Sequence, residues 1–172
     1  VTPSLESFSH VGGNRIKLKY SWDVNEGVGQ NYHCFVHFSD PEHSQDIQFQ
    51  QDHSLPKPTG QWEKGEVIED GPYTVTIPQS DSSTYRVEMG LYDTDTDDRV
   101  RLQGPARGRN KIVLGTLRVT RTDGKVTDVT FERASLSPRN QAADFSAHMN
   151  AAETTVDFGA VTTTGSVKVE KG

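Results

Sequence analysis

The sequence predicts an all-β domain, an immunoglobulin-like or jelly-roll antiparallel β-sandwich. Three observations carry this expectation. Apolar and polar residues alternate with period two in run after run, which is the signature of strands with one buried and one wet face. Turn-forming residues separate the runs at short, regular spacing. No long segment repeats its apolar residues with helical period, the best being 138–151 with Ala142, Ala143, Phe145, Ala147 and Met149.

In chain order, Ile16, Leu18, Tyr20 and Trp22 alternate with Arg15, Lys17, Lys19 and Ser21. Residues 31–38 place Tyr32, Cys34, Val36 and Phe38 on one face and His33, Phe35 and His37 on the other. Tyr73, Val75 and Ile77 alternate with threonines, and Tyr85, Val87, Met89 and Leu91 with Arg86, Glu88 and Gly90. Val100 and Leu102 alternate with Arg99 and Arg101, which puts both arginines on one strand face. The most apolar run is 111–121, and Asp123-Gly124 joins it to a strand at 125–132 as a two-residue hairpin. Gly12-Gly13-Asn14, Pro56 to Gly60, Gly71-Pro72, Ser80 to Ser83 and Gly104-Pro105 punctuate the remaining runs.

These elements divide the chain into a sandwich module over 1–132, a linker or long loop over 133–153, and a strand pair over 154–172. That pair either closes the sandwich or begins a neighbouring domain. The 172 residues carry 18 Lys+Arg against 24 Asp+Glu, a net charge of −6, and 32% hydrophobic residues. No stretch approaches the roughly 20 apolar residues of a membrane span, so no membrane partner is expected. The acidic balance argues against nucleic acid. A single cysteine excludes a disulfide framework and a multi-cysteine zinc site. No basic start followed by an apolar run, the mark of a signal peptide, is seen.

The chemistry-bearing residues form few motifs. His33 and His37 are four residues apart on a strand, about 13 Å, too far to share one zinc ion. The acidic run 93–98 fails the EF-hand template, with Asp98 at the glycine position and Gly104 at the bidentate glutamate position. It reads as a turn, leaving at most a weak structural calcium site and no other cofactor. His37, Asp52 and His53, with Asp40, Glu42 and His43 nearby, are the only grouping to inspect for proton transfer, and no catalytic motif supports them. Cys34 shares the parity of core residues and reads as a small core side chain. Trp62, in a Pro/Gly loop, is either an exposed platform for a sugar ring or a plug packed under the loop. Arg99, Arg101, Arg107, Arg109 and Lys111 form an acid-free basic stretch, suited to an anionic glycan or to protection of a sheet edge.

Several of these segments resemble a known kind of module. They are Phe35-Val36-His37, Gln50-Gln51-Asp52, Pro58-Thr59-Gly60-Gln61-Trp62, Gly65-Glu66-Val67-Ile68 and Gly90-Leu91-Tyr92-Asp93 with Arg99. In this order they are similar to a β-sandwich module found beside catalytic domains in carbohydrate-active proteins. Such modules accompany bacterial glycoside hydrolases and extracytoplasmic parts of mannosyltransferase-like glycosyltransferases. The chain departs from that pattern at Asp97-Asp98, where Thr-Gly is more usual. The resemblance covers about residues 15–120 and, in part, the tail 156–170.

The resemblance implies a sandwich that accompanies carbohydrate chemistry. With the strand alternation and the absence of a catalytic motif, the expectation is a non-catalytic, carbohydrate-binding module of a secreted bacterial polysaccharide-degrading enzyme, extracellular, cell-surface or periplasmic. Its partners would be a polysaccharide, anionic ones included, and the catalytic domain of the parent chain. The expected binding residues are Trp62, His53, Arg99 and Arg101, with Asp52 bonding sugar hydroxyls. Two other readings stand beside it: a structural spacer with an exposed apolar patch, and a small sandwich-fold lyase or hydrolase.

Overall fold

A computed structural model describes residues 1–101 and 110–134. Its elements are β1 (Thr2–His10), β2 (Arg15–Asp23), β3 (His33–Ser39), β4 (Ile47–Gln50), β5 (His53–Ser54), a single 3₁₀ turn (Thr59–Gln61), β6 (Val67–Thr76), β7 (Thr84–Tyr92), β8 (Ile112–Thr122) and β9 (Lys125–Arg133). The pairings are all antiparallel. One sheet has the order β1-β2-β6, the other β4-β3-β7-β8-β9, with β5 on the same side of β3 as β4. The fold is an all-β sandwich.

Alternation explains the core. Ile16, Leu18, Tyr20 and Trp22 of β2 face Val36, Phe38, Tyr85, Met89, Leu91 and Leu117 of the second sheet, all buried. The Asp123-Gly124 hairpin forms with both residues at positive φ, 51° and 72°, as a two-residue type I′ connection requires.

Two predictions need correction. Gly71-Pro72 does not end a strand. It is a bulge inside β6, where both residues lie opposite the single Lys19 between the pairs Leu18–Tyr73 and Tyr20–Asp70. The ring has no N–H to give to a ladder, and β6 is an edge strand, where proline is tolerated. The bulge also resets the alternation, so Asp70 and Tyr73 both turn inward although they are three residues apart. The second correction concerns 99–102. Arg99 pairs with Tyr92 as an isolated bridge rather than within a strand, and Arg101 is exposed outside any strand. The pair therefore does not share a strand face.

β9 continues through Arg133. The rest of the linker, the helical candidate 138–151 and the terminal strand pair lie outside the described residues, as do Gly104-Pro105, Arg107 and Arg109.

Among the described residues, polar contacts stitch both open sides of the sandwich. On one side the Arg133 guanidinium donates to the carbonyls of Leu5 and Glu6 in β1. On the other, His53 of β5 meets Asp70 of β6 at 3.0 Å.

Candidate functional site

The outer face of β3 is unusual for a sheet surface. The side of an antiparallel sheet turned from the core ordinarily carries solvated side chains. Here Phe35 and His37 are 2% and 7% exposed. Register explains how they fit. Phe35 lies opposite Gly90 of β7, and a Cβ at Gly90 would meet the Phe35 ring at 2.5 Å. The missing side chain makes the bed for the ring. Next along the strand, His37 pairs with Glu88, and His33 with Tyr92.

Around this floor stand polar groups. The Arg99 guanidinium lies 4.6 Å over the centre of the Phe35 ring, within cation–π range. His37 packs on Phe35 with centroids 4.7 Å apart, and Tyr92 lies 6.4 Å from Phe35. The Asp52 carboxylate is 3.8 Å from His37 Nε2. It accepts from the Val36 amide at 3.2 Å and from Gln50 Nε2 at 3.2 Å. Glu88 takes an ion pair from Lys111 and a hydrogen bond from Ser39 Oγ at 3.4 Å, and Lys111 also reaches the Ser44 carbonyl at 3.2 Å.

Electrostatics follow from this enclosure. Burial pushes the His37 imidazole down to about 4, with Arg99 and Lys111 adding to the effect. The ring is neutral at pH 7 and able both to donate and to accept. Burial pushes the Asp52 carboxyl up, against the bond from Val36 and the charges of His53 and Arg99.

The His37 shift has a measurable consequence. An unfolded histidine titrates near 6.5. From that pH down to about 4 the unfolded chain holds a proton at this position that the folded chain lacks, so stability is full above 6.5 and lost as pH falls. Asp52 acts in the opposite direction. Between pH 7 and pH 4 the wild type is expected to lose up to about 3 kcal/mol more than His37→Gln. Paired urea titrations at the two pH values check this. Equal losses in both proteins would contradict it.

The five residues expected to bind ligand divide sharply. Asp52 and Arg99 lie together on this face. Arg101 is exposed and lies outside any strand. His53 points the other way. Asp52 and His53 are adjacent in an extended segment, so their side chains leave on opposite sides. This breaks up the proposed grouping of His37, Asp52 and His53. Trp62 is 3% exposed, packs 5.7 Å from Trp22 and donates its indole N–H to the Lys57 carbonyl at 2.9 Å. The exposed-platform reading is corrected: this residue is the plug, held under the 3₁₀ turn. Lys111 likewise leaves the expected basic stretch, being buried against Glu88.

The acidic run 93–98 forms a turn. Asp93 N–H donates to the Asp98 carbonyl at 2.9 Å, Asp95 N–H to the Asp93 carboxylate at 2.8 Å, and Asp98 N–H to Thr96 Oγ at 3.3 Å. Asp40 serves a second loop similarly, accepting from the Glu42 and His43 amides at 2.8 Å.

A second cluster lies between the sheets at the β5–β6 edge. The Asp70 carboxylate, fully buried, accepts from Trp22 Nε1 at 3.0 Å, Tyr73 Oη at 2.8 Å and His53 Nε2 at 3.0 Å. Gln51 links the other imidazole nitrogen to Tyr20, giving its amide N–H to His53 Nδ1 at 3.0 Å and taking the Tyr20 hydroxyl at 3.2 Å. Cys34 is buried beside them, and burial with the nearby Asp70 and Asp52 pushes its thiol well up. This is not an activated thiol–imidazole pair, because both ring nitrogens are engaged elsewhere. Among the described residues every buried side-chain nitrogen and oxygen has a partner.

Sequence reasoning missed Tyr92's place on the outer face and Asp70's in the interior. Tyr92 falls in the same period-two register as Gly90 and Glu88, which was signal enough. Asp70 was masked by the bulge that follows it. Searches of protein-family models, characterised proteins and solved structures found no match to the chain.

Proposed function

We propose that the sandwich is a non-catalytic glycan-binding accessory module and that its ligand face is the outer side of β3–β7. The observation that carries this reading is the enclosed Phe35–His37 floor with Asp52, Arg99 and Tyr92 around it. Sugar rings offer adjacent hydroxyls, which suit a carboxylate and a guanidinium, and an apolar C–H face, which suits an aromatic edge. A neutral His37 beside Asp52 adds a group that donates or accepts without a net charge. The resemblance of Phe35-Val36-His37, Gln50-Gln51-Asp52 and Gly90-Leu91-Tyr92-Asp93 to carbohydrate-associated modules supports the same reading. Binding would hold a linked catalytic domain close to its polymer and raise the effective substrate concentration.

The spacer reading calls for an exposed apolar patch. The exposed large hydrophobics among the described residues are Val11, Ile47 and Val67. They sit in the β1–β2 turn, on β4 and at the start of β6, one on each of three elements.

The test is affinity gel electrophoresis with neutral, uronic and sulfated polysaccharides at two salt concentrations. We expect retardation by at least one polymer. Asp52→Asn, which keeps an acceptor for the Val36 amide, should weaken it by about tenfold or more, as loss of a charged hydrogen-bond partner does. Salt-sensitive retardation would identify an anionic polymer paired with arginine. No retardation by any polymer would overturn the proposal in favour of the spacer.

A further inference from the structure

We propose that Cys34, His53 and Asp70 form a binding site for a thiophilic divalent cation, zinc above all, at the β5–β6 edge of the sandwich. One donor atom from each residue lies within 4.8 Å of the others. A tetrahedral zinc ion with bonds of about 2.0–2.3 Å separates its donors by about 3.3–3.6 Å. The cluster therefore needs to close by about an ångström. The donors come from β3, β5 and β6, so the ion would cross-link the two sheets.

The chemistry suits zinc. Sulfur, imidazole nitrogen and carboxylate oxygen are its three common protein ligands. A thiolate and a carboxylate together neutralise a divalent charge, which removes the cost of an isolated ion in the interior.

The surroundings supply the outer partners such a site needs. A metal-bound imidazole ordinarily donates its second N–H to a carbonyl or carboxylate, and the Gln51 carbonyl oxygen lies 3.2 Å from His53 Nδ1. A ligating carboxylate is ordinarily hydrogen-bonded in turn, and Trp22 Nε1 and Tyr73 Oη both donate to Asp70. On binding, the Cys34 thiol proton leaves to solvent. His53 keeps one proton, moved from Nε2 to Nδ1, where it faces the Gln51 carbonyl once the Gln51 side-chain amide, now donating to Nδ1 at 3.0 Å, turns away. The route in lies along the sandwich edge, where Tyr73 is half-buried and the His53 side chain keeps 9% of its surface open. Three protein ligands leave a fourth position for water or the Tyr73 phenol.

Cobalt(II) titration of the full chain, followed by zinc displacement, tests the site. Cys34 is the sole cysteine in the sequence, so a thiolate-to-cobalt charge-transfer band can arise from nowhere else within one chain. We expect that band at one equivalent, intense visible absorption of tetrahedral cobalt, loss of both on adding zinc, and a higher Tm in zinc. Cys34→Ser and His53→Gln should each weaken binding by about a hundredfold or more, since even outer partners contribute 10–100-fold. The wild-type spectrum decides the matter if a variant fails to fold. No cobalt uptake by the folded protein, or uptake without the charge-transfer band, would overturn the proposal; the latter would assign the metal to surface histidines such as His10 and His43.

Discussion

Asp70→Ala is expected to destabilise the protein by about 3–5 kcal/mol, the range for breaking a buried polar network. The carboxylate accepts from three donors on three elements, Trp22 Nε1, Tyr73 Oη and His53 Nε2. Alanine leaves all three without their acceptor where Asp70 is fully buried. One unsatisfied buried group costs about 1–3 kcal/mol, and the three are not additive, because the cavity lets some of them turn or admit water. Asp70→Asn is expected to lose less, since one oxygen remains and an amide N–H replaces the other. Urea denaturation of the three proteins measures this. A loss under about 1 kcal/mol for alanine would mean that the edge network does not hold the sheets together.

Trp62→Ala is expected to cost about 3–5 kcal/mol, as truncations of buried large aromatics do. The indole fills the space against Trp22 and ties its N–H to the Lys57 carbonyl. Above it, Thr59 is buried, donates its hydroxyl to the Gln30 carbonyl at 2.7 Å and accepts the Tyr32 amide at 2.8 Å. The plug therefore fastens the 56–66 loop onto the β2–β3 connection. Trp62→Phe keeps most of the volume and is expected to lose about half as much. In buffer, where Trp62→Phe remains folded, its glycan retardation should equal that of the wild type. A folded Trp62→Phe that has lost binding would restore the platform reading.

The sequence makes most of the strands legible because each half-buried strand writes its own alternation. β2, β3 and β7 follow it, whereas the β8–β9 hairpin is legible from its apolar run and Asp123-Gly124, since β8 itself steps from Leu114 to Leu117 at a register shift. β1 was not legible. Its serines and glutamate conceal two inward residues, Leu5 and Phe8, which are three apart because the register shifts between Leu5 and Ser7. β6 was read only from Tyr73 onward for the same reason, its bulge at Gly71-Pro72. Bulges are long-range agreements with a partner strand, and a local pattern does not record them.

The site was partly legible. Asp52 and Arg99 were selected for their chemistry and fall on one face. His53 was selected with Asp52 although extended backbone separates neighbours onto opposite sides, a rule available from the sequence alone. Trp62 carried no local signal separating plug from platform. What decides it is Trp22, forty residues earlier, whose ring completes the pocket. Lys111 looked like part of a basic stretch because its partner Glu88 lies on the neighbouring strand.

The central claim is that the outer face of β3–β7 is the ligand face. Its most direct test is backbone and side-chain NMR of the chain titrated with oligosaccharides of the polymer that retards it most. The account predicts shifts concentrated at Phe35, His37, Asp52, Tyr92 and Arg99, with the outer strands β1 and β9 unmoved. Saturable shifts confined to another surface, or none at concentrations that retard the protein in gels, would contradict it.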